Sequence, residues 1–476
     1  MSKAKYQQII DDILLQIQEG KLESGMKLPT QRSLASQYNV NRSTVIQALE
    51  ILHSYGTIES KPRKGMFITD NKWNTYLNDN IQWQSYISHS TTKNNQYFIQ
   101  RINELEFKPQ LQRLSTGELN PNLIPNSKFQ KILSECSIES LNSNYEYPLG
   151  NLKLREAIVN HVQQWGIQCT VDQVCITSGA LQGLKLIADG LLVPKSDIII
   201  ETPSYINSIR TWHNIRAKLK ALPISTIKKN INHIFNNSNH FRHSLFYTIP
   251  TCHNPTQNNY TNTERMKIVQ QCQQQGIPIV EDDVYGELYF HHQRPQPLKS
   301  LDKNDNILYL GSLSKTVSPG LRIGWIIGKT SVISHLADLK MQNDYGASSI
   351  SQFIAAQWLA NPQYHHQHIQ NLKEKLLIKR DQFLQSLNKY FNQLGSWDIP
   401  TGSFYIWFNL YRTIDMKQLF DLAVQHNILI NPGEIYSVDA KQAIRFSYAY
   451  IEIDKIDHSL KILSELIIKL QNIDCE

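Results

Sequence analysis

SLSKTVSPGLRIGW, residues 312–325, is the stretch from which the large part of this chain can be read. It joins two apolar runs, ILYLGS (307–312) and IGWIIG (323–328), whose β-branched and aromatic content predicts strands. Lys315 therefore falls in a tight turn at a strand end. A lone lysine is nearly always a solvated charge, so a functional reading needs partners. Ser312, three residues before it, and Arg322, seven after, supply the donors that a phosphate dianion requires.

Outward from this turn, QVCIT (173–177), DIIIE (197–201), SLFYTI (244–249) and IPIVED (277–282) are further β-rich runs separated by helical stretches. That alternation predicts a parallel sheet covered on both faces, hence one large α/β domain. From about Ser331 the period lengthens to helices. The runs GSFYIWFNL (402–410), ILINPG (428–433) and AIRFSYAY (443–450) then predict a smaller α+β lobe.

Ligands of parallel sheets bind beyond the strand ends. Asp282 and Tyr285 in VEDDVYGEL (280–288) sit at such an end, where a buried carboxylate can keep a pyridine nitrogen protonated. Tyr285 and Asn254 can hydrogen-bond a ring hydroxyl. TSGALQGL (177–184) follows a strand and opens a helix, so the amides of Ala180 and Leu181 would face an anion with the helix dipole behind them. Tyr205 in ETPSY offers an aromatic plane, and Arg445 in AIRFSY a fork for a carboxylate. Taken singly, Tyr205 reads as core, Asp282 as a helix cap and Arg445 as a surface cation. Taken together they describe pyridoxal 5′-phosphate holding an amino acid.

From STGELNP (115–121) through YEYPLGNLKLREAI, TSGALQGL, ETPSY, HNPT, EDDVYGEL, SLSKTVSPGLRIGW and PTGSFYIW to Arg445, the order of motifs resembles class I, fold-type I aminotransferases. The resemblance implies that Lys315 forms the internal aldimine, Asp282 pairs with the pyridine nitrogen, Asn254 and Tyr285 hold the hydroxyl, and Tyr205 stacks. It assigns the phosphate to Ala180, Leu181, Ser312 and Arg322. Tyr145 resembles the tyrosine that reaches the partner subunit's phosphate, which implies a homodimer. One departure stands out: Gln257 occupies the place of the glycine in the usual NPTG turn.

The first 69 residues have another character: three helical patterns, then TIESKPRKGMFIT (57–69), which alternates around a basic tip and suits a two-stranded wing. Ile9, Ile10, Ile13, Leu14 and Ile17 keep helical spacing toward an end near Gly20. Thr30 precedes QRSLASQY as a cap, and Asn41 precedes RSTVIQALEILHSYG, closed by Gly56. Three helices and a wing predict a winged helix-turn-helix, whose second helix enters the major groove. Asn41, Arg42, Ser43 and Thr44 then reach base edges or phosphates, and Arg32, Arg63 and Lys64 add phosphate contacts. Nine Lys or Arg against six Asp or Glu leave this segment a small surplus of three positive charges. The string KLPTQRSLASQYNVNRSTVIQALEILHSYGTIESKPRKGMFI resembles the DNA-binding domain of GntR-type transcription regulators.

A GntR-like reader (1–69), an Asn-, Gln- and Ser-rich, partly helical linker (70–110) and an aminotransferase-like domain (111–476) together resemble the MocR subfamily of transcription regulators. Within it the chain resembles NorG-type regulators, which are associated with multidrug-efflux genes. The resemblance implies double-stranded DNA as partner and an amino-compound effector exchanging at Lys315. A working aminotransferase, with Lys315 as general base, is the second reading; a scaffold that has lost its cofactor is the third.

Composition fits these classes and excludes others. With 476 residues, 41% hydrophobic and 19% charged, the chain is too long for one ordinary domain and too apolar for a disordered one. Its net charge of +7 is too dilute to prove nucleic-acid binding by itself. Cys136, Cys169, Cys175, Cys252, Cys272 and Cys475 form no C-x-x-C pair, so metal or redox motifs are not expected. No eighteen apolar residues run together and MSKAKYQQIIDDILLQI is no signal peptide, which predicts a cytoplasmic protein without membrane contact.

Overall fold

The computed structural model describes residues 5–18, 22, 25–54, 57–61, 64–69, 95–135, 144–209, 211–234, 244–291 and 293–473. Two compact units, Met1–Arg101 and Ile102–Glu476, make up the chain. Residues 70–94 of the expected linker, the helix ends expected at Gly20 and Gly56, and the wing cation Arg63 lie outside the described residues. The helical patch of the linker is the helix Tyr97–Leu105.

In the first unit, α1 (Lys5–Gln18), α2 (Gln31–Gln37) and α3 (Arg42–Ser54) precede an antiparallel hairpin of β1 (Ile58–Lys61) and β2 (Gly65–Ile68). The helical spacing of Ile9, Ile10 and Ile13 puts all three against Leu34, Val45, Leu49 and Leu52, and Ile58 and Ile68 of the wing close the same core. Thr30 caps α2 by accepting the Ser33 amide at 3.2 Å. The Tyr38 hydroxyl donates to Asp12, tying the turn after α2 to α1.

The second unit is built on seven strands: β4 (Val174–Thr177), β5 (Asp197–Thr202), β6 (Lys218–Pro223), β7 (Ser244–Thr248), β8 (Ile279–Asp282), β9 (Ile307–Ser312) and β10 (Gly324–Ile327), in the order β4-β10-β9-β8-β7-β5-β6. Alternate side chains go to opposite faces, so Val174 and Ile176 join one core and Cys175 the other. Helices Leu152–Gln163 and Ser349–Leu359 cover the first face and Ala180–Leu191 and Thr330–Asp344 the second. The expected parallel sheet is corrected at one strand: β10 runs antiparallel to both β4 and β9. The reason is the short connection from β9, which holds a 3₁₀ turn (Pro319–Leu321) and no crossover helix.

The smaller lobe carries β11 (Gly395–Trp397), β12 (Tyr405–Leu410) and β14 (Ala443–Ser447) in one antiparallel sheet. Helices Pro362–Tyr390 and Ile453–Ile473 pack beside it, with Phe383 against Phe446. A short strand β13 (Ile428–Leu429) pairs in parallel with β3 (Gln112–Arg113), so the chain just before Ser115 is stitched to this lobe.

Candidate functional site

The chemistry-bearing residues collect at the carboxyl ends of the parallel strands. Asp282 ends β8, and Asn254, Tyr205 and Ser178 follow β7, β5 and β4. Asp282 accepts the Tyr247 hydroxyl on Oδ2 at 2.8 Å, while its buried Oδ1 has no hydrogen-bond partner among the described residues. Burial pushes this carboxyl up to about 6. The Asn254 amide donates to the Tyr285 hydroxyl at 3.3 Å, and that hydroxyl lies 3.1 Å from the Tyr405 hydroxyl. The peptide bond between Asn254 and Pro255 is cis. Half-buried Tyr205 is held by its amide on the Asn254 carbonyl at 3.0 Å, and burial pushes its phenol up to about 12.

Arg445 arrives from the small lobe on β14. Its Nη1 donates to Asn254 Oδ1 at 3.1 Å and its Nη2 to the Ser115 carbonyl at 2.6 Å, with the guanidinium 4.1 Å from the centre of the Tyr405 ring. The buried Nε has no partner among the described residues. Lys315 reaches the same place from the turn after β9, its Nζ donating to the Gly117 carbonyl at 2.7 Å. Gly117 is needed there: a Cβ would stand 2.6 Å from the Tyr405 hydroxyl.

The turn before helix Ala180–Leu191 forms the anion end. Gly179 takes φ +82°, and a Cβ on it would sit 3.0 Å from Arg322 Nη2. Arg322, left-handed at φ +52°, donates to the Ser178 carbonyl at 3.0 Å. Ala180 and Leu181 are the first residues of that helix, so their amides have no partner within it and face outward along its axis. The Ser312 hydroxyl donates to the Ile323 carbonyl at 3.1 Å and accepts the Ser314 amide. Ser314 Oγ, by contrast, is buried without a partner among the described residues.

The structure thus brings Lys315, Asp282, Tyr285, Asn254, Tyr205 and Arg445 into one polar cluster and sets Arg322 beside the Ala180 helix start. Tyr145 is 75% exposed and packs on Tyr345, with ring centres 4.9 Å apart. Sequence reasoning missed Tyr247, Tyr405 and Ser314. The last two stand inside quoted motifs, GSFYIW and SLSK, and an alternation argument on β12 could have found Tyr405 beside Arg445. Gln257 adopts φ +62°, in the left-handed region that favours glycine. A planar pyridine carrying a phosphate fits this donor set. Asp282 Oδ1, an acceptor without a partner among the described residues, suits the ring nitrogen, the Ser314 hydroxyl and the helix amides suit an anion, and the Lys315 amine belongs to the same cluster.

In the first unit, Arg32, Asn41, Arg42 and Ser43 are exposed and Thr44 is half-buried at the start of α3. The amides of Thr44 and Val45 bond the Asn41 carbonyl, which begins the helix there. Arg42 donates through Nε and Nη2 to Gln31 Oε1 at 3.1 and 3.0 Å, which joins the starts of the two helices. Lys64 is exposed beside Gly65, the first residue of β2.

Comparison with known proteins gives two families. Aminotransferase class I and II matches residues 113–463, and the family of bacterial regulatory proteins called gntR matches residues 5–68. The chain is 37% identical to the uncharacterized HTH-type transcriptional regulator YisV of Bacillus subtilis (strain 168), over 94% of this chain and 93% of that protein. It is 36% identical to the HTH-type transcriptional regulator NorG of Staphylococcus aureus (strain N315), over 91% and 98%. Among solved structures, kynurenine aminotransferase of Pyrococcus horikoshii superposes with a TM-score of 0.72 at 25% identity, over 78% of this chain and 94% of that one. The multiple substrate aminotransferase of Thermococcus profundus shares the fold, with a TM-score of 0.74 at 24% identity over 82% and 100%. Two matched domains in this order, together with whole-length regulator relatives, place the chain in the MocR subfamily of GntR-type transcription regulators.

Proposed function

We propose that this DNA-binding regulator binds pyridoxal 5′-phosphate at Lys315 and senses an amino compound there. The observation that carries the reading is the buried Oδ1 of Asp282, without a partner among the described residues, in the same cluster as Lys315 Nζ. Bound in this site, the cofactor supplies an aldehyde carbon that condenses with amines and a ring that draws electrons from it. Asp282 holds a proton at the ring nitrogen, Asn254 and Tyr285 hold the ring hydroxyl, and Tyr205 stacks on the ring. Ala180, Leu181, Ser312 and Arg322 hold the phosphate, and Ser314 joins them. Lys315 would supply the amine that holds the cofactor, and Arg445 would grip the carboxylate of an amino compound that replaces it. Only a ligand that binds two arrangements with different affinity shifts their balance; freeing Lys315 and occupying Arg445 supply that difference.

Arg32, Asn41, Arg42, Ser43, Thr44, Arg63 and Lys64 contact duplex DNA in this reading. A homodimer presents two such heads to two half-sites. Exposed Tyr145, Tyr147, Tyr345 and Ile350 support it as an apolar surface for a second copy, and Tyr145 reaches the partner's phosphate. Among the described residues no helix is long and apolar enough to cross a membrane, and the reading puts the protein in the cytoplasm, beside the DNA. Multidrug-efflux genes are the targets that the sequence resemblance favours, and genome-wide footprinting with and without an amine library tests them.

The deciding experiment is Lys315→Ala. Wild-type protein is expected to show a visible absorbance with pyridoxal 5′-phosphate that borohydride fixes covalently; the variant is expected to lose it. An unchanged spectrum rejects the role of Lys315. An aminotransferase is the second reading, favoured by the full set of amine, carboxylate and guanidinium groups in the cluster. Purified protein with amino-donor and keto-acceptor panels separates the two: repeated turnover marks an enzyme, and a change that stops at one equivalent marks a sensor.

A further inference from the structure

Behind the site lies a group of side chains that none of the proposed steps uses. His161, Glu287 and His365 bring one ligand-type atom each within 4.8 Å of one another, a spacing that suits a divalent cation. Their hydrogen bonds argue otherwise. His161 Nε2 lies 2.6 Å from one Glu287 oxygen and His365 Nε2 lies 2.7 Å from the other. The indole of Trp358 can only donate, and it donates to His365 Nδ1 at 2.9 Å, so the His365 proton sits on Nε2 and points at Glu287. Gln164, whose amide is pinned to the His161 carbonyl at 2.7 Å, faces His161 Nδ1 in the same sense. A metal on the Nε2 atoms would drive a proton onto Nδ1, where the Trp358 hydrogen already stands. The cluster is two N–H donors satisfying one buried carboxylate.

Its position gives it a use. Glu287 belongs to the 3₁₀ turn Gly286–Leu288, which directly follows Tyr285. One turn beyond His365 on helix Pro362–Tyr390, His368 Nε2 lies 2.7 Å from the carbonyl of Thr316, the residue after Lys315. His365 and His368 are three residues apart on helix Pro362–Tyr390, so they share a face. The far half of that helix is fixed to the small lobe, where Phe383 packs on Phe446 and Ser386 bonds Asp457 at 3.1 Å. One rod therefore grips the Tyr285 loop and the Lys315 loop at one end and the lobe that carries Arg445 at the other.

We infer that His365 and His368 are positioning residues that hold the Tyr285 and Lys315 loops in register for the cofactor, with His161 and Glu287 as the anchor. This rests on the cofactor reading given above. A buried carboxylate between two imidazoles is a costly way to fill space, and its return is a fixed orientation of the turn it joins.

The test uses the full-length protein carrying His365→Ala, His365→Gln, His368→Ala or His368→Gln. A glutamine amide can donate to Glu287 or to the Thr316 carbonyl, and at position 365 its oxygen can also accept from Trp358. Two measurements are made: titration with pyridoxal 5′-phosphate followed by absorbance, and amide hydrogen exchange of peptides spanning 283–288 and 313–318 in cofactor-free protein. Each alanine variant is expected to weaken cofactor binding about 5–10-fold, the loss of one good hydrogen bond. Exchange should quicken in the 283–288 peptide for position 365 and in 313–318 for position 368, and each glutamine should restore both readouts. Alanine variants with wild-type affinity and exchange overturn the inference, as do glutamines that fail to rescue. If wild-type protein binds no pyridoxal 5′-phosphate, the cofactor reading falls, and the exchange pattern alone decides whether these histidines hold the loops. Should His365→Ala not fold, half-buried His368 carries the same comparison.

Discussion

Tyr247 donates its hydroxyl hydrogen to Asp282 Oδ2 at 2.8 Å, which fixes the carboxylate plane and leaves Oδ1 buried without a partner among the described residues. The tyrosine comes from β7 and the aspartate from the neighbouring β8, so adjacent parallel strands determine which oxygen is left for a ligand.

Burial raises the Asp282 carboxyl from 3.8 to about 6, so the unfolded chain gives up this proton at lower pH than the folded one. The group therefore opposes folding increasingly as pH rises from about 4 to 6, and by a constant amount above that. Cofactor-free Asp282→Asn is expected to be more stable than wild type by roughly 1–3 kcal/mol at pH 8, with the gain gone below pH 4. Urea unfolding of cofactor-free proteins at several pH values checks this. The same variant is expected to hold pyridoxal 5′-phosphate less tightly, so stability and affinity move in opposite directions.

Arg445 offers two parallel donors, now occupied by Asn254 and the Ser115 carbonyl. A lysine cannot reproduce that fork. Arg445→Lys should retain cofactor absorbance while the concentration of amino acid needed to alter it rises about 10–100-fold, corresponding to a loss of about 1.5–3 kcal/mol. An amine without a carboxylate should respond equally in both proteins, and titration with matched pairs of ligands reads the difference.

Gln257 sits at φ +62° with its buried Oε1 lacking a partner among the described residues. Gln257→Gly should relieve the left-handed backbone and raise stability by up to about 1 kcal/mol, measured as a higher unfolding midpoint. Gly179→Ala, at φ +82° and 3.0 Å from Arg322, should act in the reverse direction and also weaken phosphate binding.

Arg42 lies exposed at the start of α3, with its guanidinium on Gln31. Arg42→Ala is expected to weaken specific DNA binding by about 1–3 kcal/mol if it meets a base, and to weaken all sequences alike with a shallower salt slope if it meets phosphate. Binding curves on operator and scrambled duplexes at two salt concentrations separate these outcomes.

Much of the candidate site is legible in the sequence because its motifs are local. The strand-end position of Asp282, the Gly179 turn ahead of Ala180 and the Lys315 turn after β9 each follow from a few neighbouring residues. Ser312 is marked in the sequence by its spacing from Lys315; the folded turn binds its hydroxyl to the Ile323 carbonyl, and the Ser314 hydroxyl beside it has no partner among the described residues. Tyr247 carries no local signal, since it matters only through Asp282 on the neighbouring strand, and Tyr405 is signalled only by the alternation along β12.

The sequence by itself determined the helix-helix-helix-wing order of the head, the strand runs of the large unit and the succession of site motifs, because apolar period and turn chemistry act over a few residues. Only the tertiary structure decided that β10 runs against its neighbours, that Arg445 meets Asn254, and that His365 and His368 grip two loops far away in the chain. Those facts depend on which strands and helices pack side by side, and contacts between residues so widely separated leave no periodic trace along the chain.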